Sequence, residues 1–117
     1  PFFNDLHKLF DNQYREIFEI IDEVAERVQF LGHEALGTLA EFEKHATLIE
    51  TPGQNPTAKT MIKELLDDHE AIIRQVRTDA DKALTLNDAG TNDFLLGIMQ
   101  QHEKTAWMLR SLITVLE

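Results

Sequence analysis

The chain has 117 residues, the size of one ordinary domain, and we expect a single domain over residues 1–117. The composition is 43% hydrophobic and 27% charged, with only five glycines and three prolines, which is typical of a folded, mostly helical protein and excludes a disordered one. A formal net charge of −10 disfavours binding to nucleic-acid phosphates or anionic lipid and favours cations as partners.

The first predicted helix runs from about Asn4 to Leu31. Its apolar residues recur at intervals of three and four positions, the pattern of an amphipathic helix with one buried face. Gly32 follows, as expected for the residue just past a helix end. The apolar set is Leu6, Leu9, Phe10, Ile17, Ile20, Ile21, Val24, Val28 and Leu31.

The second and third helices are predicted to form an antiparallel hairpin. The second follows Asn55 and Pro56, interpreted as the N-cap and the first helical residue, and ends near Leu86. The break at residues 87–90 is short, and the third helix begins near Thr91 and continues to the end of the chain. A short break between two helices favours a hairpin.

A long connection separates the first helix from the second. It has about 24 residues, enough to run the length of a helix, so the two helices could lie parallel as in bundles with one long crossover. Within it, Thr38 and Glu41 have the spacing of a capping box at the start of a short helix. Three long helices enclose a core poorly, and we expect a fourth.

Four candidate metal ligands lie on the first helix: His7, Asp11, Asp22 and Glu26. At 100° per residue they fall at about 340°, 20°, 40° and 80°, beside an apolar face centred near 240°. His7 with Asp11, and Asp22 with Glu26, each stand one turn apart and could share a cation. The pairs are centred 15 residues apart, however, or about 22 Å, so one chain cannot bring all four together.

A second copy of the helix could complete the site. A two-fold axis between Glu16 and Ile17 would place His7 opposite the partner's Glu26 and Asp11 opposite the partner's Asp22, because both pairs of positions add to the same total. An antiparallel pair would then hold two equivalent sites, with Tyr14 and Phe18 around the axis. Carboxylates with one imidazole suit iron or manganese, with zinc as a third option. The alternative, an acidic face that is merely solvated, stays open on spacing alone.

Three further residues have less specific patterns. His69 and His102 lie near the middle of the apolar faces of the second and third helices, where a buried histidine hydrogen-bonded to a neighbour is the commoner explanation than metal ligation. Trp107 points away from the main apolar stripe of its helix, on the side of Leu96, which favours a packing or subunit contact. The dipeptides His33-Glu34, His69-Glu70 and His102-Glu103 resemble ligands of a hemerythrin-like di-iron bundle. None of them is followed by His or Glu four residues later, so this function is disfavoured.

Several motifs resemble the Dps mini-ferritins, the DNA-binding proteins from starved cells. They are Phe3-x-x-Leu6-His7-x-x-Phe10-Asp11, Ile21-Asp22-x-Val24-Ala25-Glu26-Arg27 with Leu31-Gly32, Gly37-Thr38-Leu39-x-Glu41-Phe42, Asp68-His69-Glu70, and Glu103-Lys104-Thr105-Ala106-Trp107-Met108-Leu109-Arg110. The resemblance covers the whole chain. It implies an all-α, ferritin-like four-helix bundle with a short helix in the long crossover, of which three long helices are present here.

The resemblance implies a ferroxidase and iron store that oxidises Fe(II), preferably with hydrogen peroxide, in a hollow homo-dodecamer. Its metal sites lie at two-fold interfaces with ligands matching His7, Asp11, Asp22 and Glu26, which would also be the catalytic residues. It further implies that Trp107 lies near the metal site and that Asp88 and, more closely, Asp93 line an acidic pore for iron entry. The family's motif starts with a His-Trp pair on a preceding helix, at a place upstream of Pro1, so we expect another segment or polypeptide to supply that helix and ligand.

DNA is a partner by the family's name, but residues 1–117 contain no cluster of Lys and Arg that would bind it. Direct DNA binding would need an upstream segment or bridging cations. The alternative function is a non-enzymatic bundle that compacts DNA or acts as a scaffold. The absence of cysteine and of a long apolar run favours the cytoplasm, with the bacterial nucleoid as an option, and no membrane partner.

Overall fold

The computed structural model describes residues 2–116, and within that range the chain is helical with no strand. The helices are α1 (Phe3–Phe30), α2 (Leu39–His45), α3 (Ala58–Thr85) and α4 (Ala89–Leu116). The predicted all-α class, with three long helices and one short helix in the long connection, is therefore confirmed. The described residues form two compact units that divide between Thr47 and Leu48. The prediction of a single ferritin-like domain stays a prediction.

The end of α1 is a Schellman motif built on Gly32. This glycine has a φ of 84°, which costs little without a Cβ. Its backbone N–H donates to the carbonyl of Gln29 over 2.9 Å, and the N–H of His33 donates to the carbonyl of Val28 over 3.1 Å. These bonds satisfy two carbonyls that the helix end would leave without partners. The predicted role of Gly32 is confirmed.

The short helix α2 begins with the predicted capping box. The Thr38 hydroxyl accepts a hydrogen bond from the N–H of Glu41 over 3.2 Å, and the Glu41 carboxylate accepts from the N–H of Thr38 over 3.1 Å. Hydrogen bonds from Thr38 and from the N–H of Gly37 also lower the pKa of Glu41. A seven-residue helix is marginal by itself, so its cap contributes directly to its formation.

The start of α3 differs from the prediction. The N-cap is Thr57, and Pro56 precedes the helix, so the expected Asn55 cap with Pro56 as first helical residue is wrong. Thr57 has an extended backbone, and its hydroxyl accepts from the N–H of Thr60 over 3.2 Å. Threonine caps a helix nearly as well as asparagine does. The chain uses the later of two competent caps.

The connection between α3 and α4 is also shorter than predicted. It comprises residues 86–88, and Ala89 and Gly90 are already helical, so the predicted break at 87–90 and the start near Thr91 are wrong. Asn87 adopts a φ of 60°, and the N–H groups of Asn87 and Asp88 donate to carbonyls of the last turn of α3. This second Schellman motif reverses the chain at once, because asparagine tolerates the left-handed region.

The helices α3 and α4 pack against each other along one continuous seam. Most of their buried residues recur at spacings of three and four, the pattern of knobs-into-holes packing. On α3 they are Ile62, Leu66, His69, Ile73, Ala80 and Ala83, and on α4 Ile98, His102, Thr105, Ala106 and Leu109. The predicted hairpin is therefore confirmed. None of the helices within residues 2–116 is both long enough and apolar enough to cross a membrane.

Candidate metal site

The four predicted ligands all lie on α1, and all four side chains are exposed. They form two pairs, each one helical turn apart, as the spacing predicts. Within residues 2–116, no three His, Asp or Glu side chains converge on a common point. A single copy therefore offers two half-sites, each with two potential ligands. The assignment of His7, Asp11, Asp22 and Glu26 as metal ligands stays a prediction.

The first half-site is His7 and Asp11. The ring of Phe3 stacks on the His7 imidazole, with centroids 5.8 Å apart and the planes 9° from parallel. Asp11 accepts a hydrogen bond at Oδ2 from Nε of Arg15 over 2.9 Å. Both partners of this ion pair are largely exposed, so it contributes only about 0–1 kcal/mol. A cation could therefore displace Arg15 from Asp11 at little cost.

The second half-site is Asp22 and Glu26, whose carboxyl groups interact directly. The pKa of Glu26 is raised, chiefly because its carboxyl group hydrogen-bonds to Asp22 and also because the Asp22 charge repels a second negative charge. The negative charges of this pair repel each other, and a divalent cation bound between them would offset that repulsion.

A shallow groove lies on α1 between the two half-sites. It is lined by Asp11, Tyr14, Arg15, Phe18 and Glu19. The rings of Tyr14 and Phe18 lie 6.3 Å apart and tilted by 31°, and both are exposed, at 67% and 62%. Two exposed aromatic rings side by side, between polar residues, are typical of a protein contact surface. This is the place where the predicted two-fold axis would pass.

The residues assigned to iron entry lie at the start of α4. Asp88 accepts a hydrogen bond at Oδ1 from the N–H of Thr91 over 3.0 Å and at Oδ2 from the Thr91 hydroxyl over 2.6 Å. Asp88 thus caps the helix end, where negative charge is favourable. Asp93 is exposed, one turn further along. The role of either carboxylate in iron entry stays a prediction.

Trp107 lies on the exposed side of α4 and is 60% accessible, whereas Leu96 is half-buried. The predicted orientation of Trp107 away from the seam is therefore confirmed. Its proximity to the metal site in an assembly stays a prediction. The indole offers one N–H donor and a large apolar surface, a combination common at protein interfaces.

Sequence reasoning explained His69 and His102 separately and missed that they meet. Nδ1 of His69 lies 2.8 Å from Nδ1 of His102, so each histidine is the buried neighbour of the other. The prediction of a buried, hydrogen-bonded histidine is confirmed for both. Their partnership depends on the register between α3 and α4, which neither helix sequence contains alone.

Sequence reasoning also passed over Gln13 on α1. It is 6% exposed and falls on the apolar side of the helix. Its Nε2 has no hydrogen-bond partner among residues 2–116. A polar residue within the apolar stripe was the signal that could have identified it, since a buried amide normally finds a partner.

Comparison with known proteins places this arrangement in a family. The whole chain, residues 1–117, matches the family model for the ferritin-like domain. A low temperature-induced protein of Nostoc sp. is 44% identical over 114 residues, which are 97% of this chain and 64% of that protein. DNA protection during starvation protein 2 of Bacillus anthracis is 33% identical over 113 residues, 97% of this chain and 77% of the relative.

A solved structure, Dps from Thermosynechococcus elongatus, superposes with a TM-score of 0.91 at 39% identity, covering 97% of this chain and 71% of the other. The helical fold and these matches define a ferritin-like protein. Within that class, the chain belongs to the Dps mini-ferritins. It spans about two thirds of the length of the relatives from Nostoc and Anabaena variabilis, 64% in each case.

Proposed function

We propose that this protein is a ferroxidase and iron store that works as a homo-dodecamer. The observation that carries the proposal is the placement of two exposed, incomplete half-sites on α1, which a two-fold axis between Glu16 and Ile17 would bring opposite each other in an antiparallel pair. A second copy would supply the missing ligands to both sites. Iron is the substrate that this ligand set suits.

Each half-site contributes differently to binding. His7 would offer a ring nitrogen and Asp11 a carboxylate oxygen, which orient Fe(II) without neutralising it fully. Asp22 and Glu26 of the partner subunit would add negative charge. Because Fe(III) carries one more positive charge than Fe(II), these carboxylates stabilise the product more than the substrate. The site thus favours oxidation as well as binding.

Hydrogen peroxide is the oxidant that we propose. Each Fe(II) gives up one electron, and one peroxide accepts two electrons as its O–O bond breaks and its oxygens are reduced to the level of water. The Fe(III) hydrolyses to an oxyhydroxide mineral and releases protons. Free Fe(II) and peroxide are consumed together, so the hydroxyl radicals that they would otherwise form do not reach DNA.

We propose that DNA protection, the function in the names of several relatives, is chemical here. The chain has 21 acidic and 11 basic side chains, so an assembly of residues 1–117 repels the phosphate backbone. Removal of Fe(II) and peroxide protects DNA without contact. The alternative is a non-enzymatic bundle that compacts DNA or acts as a scaffold, and several relatives are named for DNA protection during starvation.

Two measurements separate these functions. Addition of peroxide to the protein with Fe(II), without oxygen, should raise the ferric absorbance faster than in protein-free buffer. Asp22→Ala should remove most of that difference, whereas Glu23→Ala, an exposed neighbour outside the ligand stripe, should retain it. A gel shift at low salt should show no DNA complex. A protein that shifts DNA but leaves Fe(II) oxidation at the buffer rate would support the scaffold function instead.

A further inference from the structure

Two histidines form a buried pair in the middle of the α3–α4 seam. His69 and His102 are 3% and 5% exposed, and their ring centroids lie 5.0 Å apart at an interplanar angle of 45°. The 2.8 Å separation of their Nδ1 atoms is a hydrogen-bond distance. In the neutral pair, one Nδ1 must carry a hydrogen and donate it, and the other must accept with a lone pair.

The pair occupies seam positions that are otherwise apolar or small. Ile62, Leu66 and Ile73 flank His69 on its helix at the same three- and four-residue spacing. Side-chain hydrogen bonds also join the helices elsewhere: Asn92 donates to the carbonyl of Ala80 over 2.8 Å, and Arg110 donates to Glu70 over 3.1 Å. On α4 the histidine lies between Asn92 and Arg110, and the histidine bond is buried in the seam. Polar residues at such positions fix the register of paired helices.

Protonation acts on this bond in two stages. The first proton can enter at Nε2 of the donor ring, which keeps its Nδ1–H bond to the other ring but places a charge in the seam. The second proton must bind the accepting Nδ1, because the other nitrogen of that ring already carries a hydrogen. Two N–H groups would then face each other across 2.8 Å, with a positive charge on each ring. The closed pair is incompatible with this state.

The charged groups around the pair do little to stabilise its protonated form. On α3 the neighbours are Asp68, Glu70 and Arg74, and on α4 they are Glu103 and Arg110. Glu70, Arg74, Glu103 and Arg110 line one shallow groove with balanced charge, and Arg110 already pairs with Glu70. Burial lowers the pKa of His102, and burial together with the nearby His102 lowers the pKa of His69 to about 4.

From this geometry we infer that His69 and His102 form an acid-sensitive latch of the α3–α4 hairpin. At neutral pH the hydrogen bond holds the middle of the seam closed. As acid charges the rings, the seam opens locally around them while the apolar contacts on either side persist. The latch is independent of iron oxidation, since its residues are not among the proposed ligands on α1.

Hydrogen exchange measures this opening directly. After correction for the intrinsic effect of pH, exchange of backbone amides in segments 62–73 and 98–109 should rise at least about tenfold as the pH falls from 6.5 to below about 4. In the double variant His69→Leu/His102→Leu the rise should be lost. An unchanged rise in the folded double variant, or no rise in the natural chain, would overturn the latch.

Further variants keep the test decisive. If the double variant does not fold, His102→Gln retains a hydrogen-bond donor for His69 without a second titrating ring, and its rise should be smaller than in the natural chain. A rise as large as that of the natural chain in His102→Gln would contradict the latch. Glu70→Gln removes the ion pair with Arg110 and should leave the rise intact. Loss of the rise in Glu70→Gln would assign the acid response to the ion pair and overturn the latch.

Discussion

Asp22 and Glu26 stand one turn apart on the exposed face of α1, where hydrogen bonding to Asp22 and the charge of Asp22 raise the pKa of Glu26. Water surrounds both groups, so burial contributes little to this arrangement. The two carboxylates repel each other, and a bound metal ion would offset that repulsion. The raised pKa of Glu26 in one chain is therefore connected to the metal binding proposed for two chains.

Replacement of Asp22 by Asn should lower the pKa of Glu26 toward its ordinary value of 4.5. The amide carries no charge to repel the Glu26 carboxylate, and it does not interact with Glu26 as a second carboxyl group does. Carboxyl carbon chemical shifts, followed by NMR through an acid titration, measure the effect. Glu23→Gln should cause only a small decrease, because Glu23 is the weakest of the four causes. Equal effects of the two variants would contradict this account of the pair.

Mixed dimers test the division of ligands between chains. His7→Ala and Asp22→Ala should each lose most of the oxidation activity, since each variant damages both sites of its own dimer. In a dimer of one His7→Ala chain and one Asp22→Ala chain, one site carries both lesions and the other carries none. Mixed assemblies should therefore recover activity in ferric absorbance assays. If they are no more active than the parent variants, the ligands are not shared between chains.

Asp88 combines a structural role with a proposed role in iron entry, and two substitutions separate them. Asp88→Asn keeps a side-chain oxygen for the N–H of Thr91, so helix stability should change little. Asp88→Ala should cost about 1 kcal/mol of unfolding free energy through the lost cap. If the carboxylate charge guides iron, both variants should slow iron uptake equally. Uptake that falls only in Asp88→Ala would leave Asp88 with the capping role alone.

The histidine pair should show strong energetic coupling at neutral pH. His102→Leu leaves the buried Nδ1 of His69 without a partner and should lower the free energy of unfolding by about 1–3 kcal/mol. The double variant His69→Leu/His102→Leu should recover much of that loss, because no polar atom remains buried. Urea denaturation of the four members of this double-mutant cycle gives the coupling energy. Additive losses would show that the hydrogen bond contributes nothing.

The stability of the natural chain should fall as pH decreases from 6.5 to about 4. The folded pKa of His69 lies below the unfolded value, so in this window the unfolded chain binds more protons than the folded chain. The full stability is present above pH 6.5, and about 3 kcal/mol would be lost by the lower end, at roughly 1.4 kcal/mol per unit of pKa. Denaturation at several pH values checks both the sign and the window.

The features that could be predicted from the sequence are those that one helix determines by itself. The half-sites on α1 follow from the fixed rotation per residue, and the capping box of α2 follows from the spacing of Thr38 and Glu41. Gly32 was recognisable because few other residues suit its backbone conformation. Each of these signals lies within a few turns of one element.

The predictions were wrong or incomplete at helix boundaries with two suitable capping residues and at contacts between two helices. Thr57 and Asn55 are both competent caps, and composition alone did not decide between them. Ala89 and Gly90 resembled part of a turn, but Asn87 completes the reversal before them. The contact between His69 and His102 depends on the relative register of α3 and α4. Periodicity within one helix contains no information on that register.

The exposure of Trp107 gives this chain an optical signal of its own. It is the single tryptophan among 117 residues and is 60% accessible, so its fluorescence in an isolated chain should resemble that of indole in water. Any surface that covers the ring removes water from it and shifts the emission to shorter wavelength. Subunit association of the unlabelled 117-residue chain can therefore be followed in real time through this one ring.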